Sequence, residues 1–191
     1  RDYAGSPLPE NTDYADDACC ILYTSGTTGR PKGAIISHRA MLTGVFMAQH
    51  AGARFAARMA AKLGIDVPAL MAARPRSAVF LIFPLFHVSG LHAQLLSALR
   101  NGRRLVFVSR WDPAQAIEVI QAERITQFNG APSMVMQLLA QPGFDDPALT
   151  GTLSGLGFGG AGLFQRVIDE LQRRRPNSLS GVGFGLTETN G

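Results

Sequence analysis

The chain of 191 residues is 46% apolar and 17% charged, with eighteen Lys and Arg against fourteen Asp and Glu. This composition excludes an intrinsically disordered chain and suits a domain with a substantial core. A net charge of +4 is too small to argue for nucleic acid, no apolar run reaches the ~18 residues of a membrane span, and the polar, acidic start lacks a signal-peptide core.

Residues 1–17 are rich in Pro, Asp and Gly and read as an irregular lead-in. Residues 18–23 form an apolar run that reads as a buried strand, with Cys19 and Cys20 as core residues. The two cysteines are sequence neighbours with no other cysteine to pair with, which fits a reducing, cytoplasmic setting. Ser37 is a good N-cap for a long helix to about Leu63, stopped by Gly64, Asp66 and Pro68. Along it Arg54, Arg58 and Lys62 make a solvated basic face.

A short helix over 69–73 follows, then a strand over 79–83 closed by Pro84. A helix over 91–99 and a strand over 104–108 come next. Asp112-Pro113 starts a helix to about Glu123, with Asp as cap and Pro at the first position. The remaining elements are a strand over 126–128, a helix over 132–140, a strand over 155–158, a helix over 163–174 and a strand over 180–184. Apolar strands alternating with helices define an α/β fold: a largely parallel sheet with helices on both faces. The chain opens on Arg1 and stops inside a strand-to-loop motif, so residues 18–191 are expected to be a single α/β subdomain of a larger protein.

Three segments carry chemistry. The run Tyr23-Thr-Ser-Gly-Thr-Thr-Gly-Arg-Pro-Lys-Gly33 follows a strand and combines glycines with hydroxyls and a lysine. Gly26 and Gly29 let backbone N–H groups approach an anion, Thr24, Ser25, Thr27 and Thr28 add donors, and Lys32 adds a charge. That is equipment for a polyphosphate, in a pattern other than the Walker loop, because Gly33 follows the lysine. The second segment, Gly157-Phe-Gly-Gly-Ala-Gly162, satisfies Gly-x-Gly-x-x-Gly. A dinucleotide fold would also place an acid about 20 residues on, where 177–182 offers Asn, Ser, Leu and Gly. The third ends the chain: Gly183-Phe-Gly-Leu-Thr-Glu188, a hydroxyl and a hard carboxylate beyond a strand end.

Together these segments resemble the adenylate-forming superfamily of acyl-CoA synthetases, luciferases and peptide-synthetase adenylation domains. The match runs from Ala18 to Asn190 and would cover about a third of a full member, within its N-terminal domain. The resemblance implies ATP-dependent activation of a carboxylic acid to an acyl-adenylate, then thioester formation with coenzyme A. It implies that Thr24 to Gly29 and Lys32 hold the phosphates, and that Thr187 and Glu188 meet Mg²⁺. Phe184, Gly185, Gly160, Ala161 and Gly162 would hold the base. Phe184 stands where the family has Tyr, keeping the ring face and losing the hydroxyl, and Gly162 stands where Pro is common. The segment from Phe83 to Gly90 resembles the acyl-pocket segment, which gives His87 and Gly90 to the acid, with His87 as wall and gate. Peptide-synthetase domains place an Asp after the first Phe of this segment; Pro84 stands there, which favours a fatty or other acyl acid without an α-amino group. The expected partners are therefore the acid, ATP and coenzyme A, with no nucleic acid. The family's hinge and C-terminal lysine are missing, so negligible turnover is expected of these residues alone. Another acyl acceptor, a non-catalytic nucleotide-binding role and a homo-oligomeric state stay open.

Overall fold

The computed structural model describes residues 15–25, 29–162, 164–176 and 178–190. Most of the expected lead-in, together with Gly26, Thr27, Thr28 and Leu163, lies outside the described residues.

The first strand corrects the sequence expectation. β1 (Ala18–Thr24) pairs antiparallel with β2 (Lys32–Ser37) in a two-stranded ribbon apart from the main sheet. β1 is therefore not a buried parallel strand: Leu22 is buried, but Ile21 and Tyr23 are 50% and 67% exposed. Cys19 and Cys20 are free and only half-buried. Gly33 sits in close approach: a Cβ there would lie 2.6 Å from Ile21 Cγ2 and would have to push that side chain aside.

α1 (His38–Leu63) obeys its end signals. The Ser37 Oγ accepts from the Ala40 N–H, and Gly64 closes the helix in the left-handed region at φ 69°. Asp66 and Pro68 do not stop this helix. They start the next, α2 (Val67–Ala72), with the Asp66 carboxylate accepting from the Ala69 N–H. Arg54, Arg58 and Lys62 are exposed, as a solvated face requires, while Ala56 and Ala60 are buried against Leu70.

The main sheet is built from β3 (Ala78–Leu81), β4 (Arg104–Phe107), β5 (Gln127–Gly130), β6 (Gly155–Phe158) and β7 (Leu179–Val182). Its order is β4-β3-β5-β6-β7 and every pairing is parallel. A continuous helical run, residues 88–100, leads from β3 to β4: α3 (Val88–Gly90), a π-helical stretch Leu91–Leu96 and α4 (Ser97–Arg100). α5 (Pro113–Ala122), α6 (Pro132–Leu139) and α8 (Gln165–Arg174) make the later crossovers, with a short α7 (Pro147–Thr150) before β6.

Right-handed crossovers fix the layers. The step from β3 to β4 moves one way along the sheet, and every later step moves the other way. Residues 88–100 must then lie on the face opposite α5, α6 and α8. The packing agrees: Phe80, Phe128 and Leu156 of the sheet share one core with Ile120, Val135, Leu138, Val167 and Leu171 of those three helices. The π-helical stretch packs on β3 from the other side, with α1 behind it. Among the described residues no helix is long and apolar enough to cross a membrane.

Candidate functional site

The reversal of winding leaves a crevice between β3 and β5 at the carboxyl ends of the strands, where open α/β sheets place ligands. A cavity of about 510 Å³ opens there. Phe83 lines it beyond β3, Asn129 on β5, Gly159 and Gly160 beyond β6, and Gly183, Phe184 and Gly185 beyond β7. Val88, Ser89, Ala93 and Gln94 line it from the helical run, and Thr187 lines it beyond Gly185. None of the described lining residues is charged.

Strand periodicity explains the shape of this cavity. In β6 the residues Leu156 and Phe158 turn into the core, so Gly155 and Gly157 fall on the cavity face. Gly181 and Gly183 continue the same bare floor from β7. A Cβ at Gly157 would meet Asn129 Oδ1 at 2.1 Å, so any larger residue there must displace the Asn129 side chain. Gly160 bends the chain with φ +77°, at the mouth beside Phe83. The Gly183 N–H donates to the Phe158 carbonyl across 2.8 Å, which holds the two post-strand loops together.

Of the phosphate-loop residues, Thr24, Ser25 and Gly29 to Gly33 are described. Thr24 and Lys32 face each other across the ribbon, and the Thr24 Oγ1 donates to the Lys32 carbonyl at 3.4 Å. Ser25, Gly29 and Lys32 are exposed, and Gly29 adopts φ +79°. β2 packs beside the one-turn 3₁₀ helix Thr187–Thr189, which carries Glu188 exposed. Asn190, buried and left-handed at φ 64°, pins that turn: its Nδ2 donates to the Ala40 carbonyl of α1 across 2.8 Å.

Other expected site residues stand differently. Ala161 and Gly162 are exposed and do not line the cavity. Phe184 is past the end of β7, not within the strand, and is 89% exposed at the rim. His87 is also exposed and packs its ring on Phe86, with centroids 4.8 Å apart. Gly90 is buried outside the lining, and a Cβ there would meet the Pro84 carbonyl oxygen at 2.2 Å. Its place is set by how closely the helical run passes under Pro84.

Gln94 carries no signal in the sequence, and His92 lacks the spacing and companions of a zinc site. Both are buried in the π-helical stretch, two residues apart, a spacing that ordinary helical periodicity does not put on one buried face. Both Gln94 amide atoms lack a partner among the described residues, as do His92 Nδ1 and Asn190 Oδ1. His92 Nε2 lies 3.9 Å from Cys20 Sγ. Burial holds the His92 pKa below its ordinary value of 6.5, and the nearby Asn190 side chain pulls weakly the other way.

A strand-end crevice with a glycine floor, at the reversal of winding, defines an α/β protein built to hold a ligand at the carboxyl ends of its strands. The model of the family described as AMP-binding enzyme matches residues 2–191, and the chain belongs to that family. It is similar to 4-coumarate–CoA ligase 3 of Arabidopsis thaliana, 29% identical over 96% of this chain and 30% of that protein. It is also similar to 4-coumarate–CoA ligase 5 of Oryza sativa subsp. japonica, 30% identical over 96% of this chain and 31% of that protein. The chain thus spans about 30% of the length of these curated relatives. Among solved structures, the N-terminal domain of FACL13 from Mycobacterium tuberculosis superposes with a TM-score of 0.72 at 25% identity, covering 97% of this chain and 40% of that one. ATP-bound MatB from Rhodopseudomonas palustris superposes with a TM-score of 0.70 at 26% identity, over 92% of this chain and 30% of that one.

Proposed function

We propose that this chain supplies the nucleotide- and acid-binding part of a cytoplasmic, ATP-dependent acid–thiol ligase. The observation that carries the reading is the packing of β2, which begins at Lys32, beside the turn that bears Thr187 and Glu188, with Thr187 itself lining an uncharged cavity. Cation, hydroxyls and hard carboxylate suit a metal-bound triphosphate, while the cavity suits a base and an acyl group.

In the first step a carboxylate oxygen attacks the α-phosphorus of ATP. The new oxygen–phosphorus bond forms as the α–β anhydride bond breaks, and pyrophosphate leaves with the electron pair. In the second step the thiolate of coenzyme A attacks the acyl carbon, a carbon–sulfur bond forms, and AMP leaves. The protein contributes placement and charge neutralisation. Lys32 and the hydroxyls of Thr24, Ser25, Thr27 and Thr28 hold the departing phosphates, with Gly26 and Gly29 giving backbone access. Gly160 and Gly185 border the base, Phe184 stacks on it, and His87 screens the entrance.

Thr187 and Glu188 offer hard oxygen donors that fit Mg²⁺, and the ion when bound offsets phosphate charge. The bare floor of Gly155, Gly157, Gly181 and Gly183 favours a flat acid over a long flexible chain. The relatives named for 4-coumarate point the same way. Pyrophosphate release by the full-length protein, screened over aliphatic and aromatic acids, tests the reading. Release dependent on one class of acid supports it, and no release with any acid removes it.

A further inference from the structure

The amino ends of the strands carry a second cavity, of about 420 Å³, at the opposite end of the sheet from the crevice. Four segments meet there: Arg74 to Ser77 before β3, Arg103 before β4, Thr126 before β5 and Ser154 before β6. Open α/β sheets place ligands at the other end of their strands, so the topology alone does not require a pocket here.

The charge of this cavity is one-sided. Arg74, Arg76 and Arg103 line it, and no described lining residue is acidic. Among the described residues none of these three guanidinium groups has a carboxylate partner. Strand alternation separates Arg103 from its neighbour: the Arg104 guanidinium pairs with Glu123 after α5, whereas Arg103 turns into the cavity. Arg103 is half-buried, and its Nη1 donates to Gln127 Oε1 across 3.2 Å. That bond positions the guanidinium fork and uses one of its five N–H donors. Burial pulls the Arg103 pKa below its ordinary value, with no anion beside it to offset the cost. The hydroxyls nearby are committed to the backbone, Thr126 Oγ1 donating to the Ala78 carbonyl and Ser154 Oγ to the Thr126 carbonyl.

We propose that this cavity binds a small phosphate-bearing anion through Arg74, Arg76 and Arg103, at a site separate from the strand-end crevice. A phosphate monoester carries up to two charges and three terminal oxygens, which suit several guanidinium forks at once. A single carboxylate would leave two of the three cations without a counter-charge. The volume, about 420 Å³, also admits the organic part of such a molecule.

This inference stands apart from the ligase reading, because its test measures binding. The full-length protein is titrated calorimetrically with inorganic phosphate and with phenyl phosphate, against acetate at equal ionic strength. Phosphate should bind and acetate should not. Tighter binding of phenyl phosphate identifies a monoester as the ligand, and binding no tighter than that of inorganic phosphate identifies the free ion. Arg74→Gln combined with Arg76→Gln, both exposed, should weaken binding by about 10-fold or more at an unchanged melting temperature. Arg103→Lys, which keeps the charge and loses the fork, should weaken it as well. Lys32→Ala should leave this binding in place. The site is overturned by absent phosphate binding, by acetate binding equally, or by binding lost in Lys32→Ala and kept in the arginine variants. None of these results decides the ligase reading, which pyrophosphate release tests separately.

Discussion

Asn190 Nδ2 and the Ala40 carbonyl oxygen lie 2.8 Å apart, joining the turn after Glu188 to the first turn of α1. That bond joins residues 150 positions apart and ties the turn to α1. Asn190→Ala should lower kcat/KM for ATP by about 10-fold and cost ~1 kcal/mol of stability, part of it from the left-handed backbone. Titration of ATP dependence together with thermal melting checks both effects; unchanged ATP kinetics would detach the turn from the site.

Gly44 gives an independent probe of the same contact. A Cβ at Gly44 would lie 2.7 Å from Asn190 Nδ2, so Gly44→Ala must push that side chain aside. Alanine improves helix propensity by ~1 kcal/mol at an interior position. The expected outcome is a melting temperature that holds or rises while KM for ATP increases. A variant with better stability and unaltered KM would show that the turn tolerates displacement.

Lys32 and Glu188 are both exposed, so their removal should spare the fold. Lys32→Ala and Glu188→Gln are each expected to reduce the adenylation rate by about 100-fold. Groups acting on one triphosphate should combine less than additively, which a double-mutant cycle measures. Full activity in both single variants would remove these residues from the chemistry.

His92 makes stability depend on pH in a stated direction. Burial holds its folded pKa below 6.5, so above that pH the ring is neutral in both states and nothing is lost. As pH falls through 6.5 toward the folded pKa, the unfolded chain takes up the proton first and stability declines. Cys20 and Asn190 face the ring; Asn190 favours the charged form, and burial outweighs it. Chemical denaturation between neutral and mildly acidic pH should show the decline, and His92→Gln should flatten it.

The parallel sheet and its long helices were legible because their signals are local. Ser37 and Gly64 bound α1, and Asp112 with Pro113 starts α5, as their chemistry requires. The phosphate-loop residues were legible because glycines, hydroxyls and a lysine crowd into a short run. β2 was missed because Lys32–Ser37 is short and begins Lys-Gly, so it reads as the tail of the loop. Without its partner, β1 looked like a buried central strand. Gln94 escaped notice because its burial comes from a π-helical register set by packing on β3, which no local pattern encodes.

The most direct measurement is a crystal structure of the full-length protein with Mg²⁺ and an ATP analogue whose α–β bridge cannot be cleaved. Lys32 Nζ and the Glu188 carboxylate are predicted to flank one triphosphate, the carboxylate through the metal, with the base against Phe184 and Gly160. A nucleotide bound elsewhere, or one reached by Lys32 and not by Glu188, would contradict the assignment.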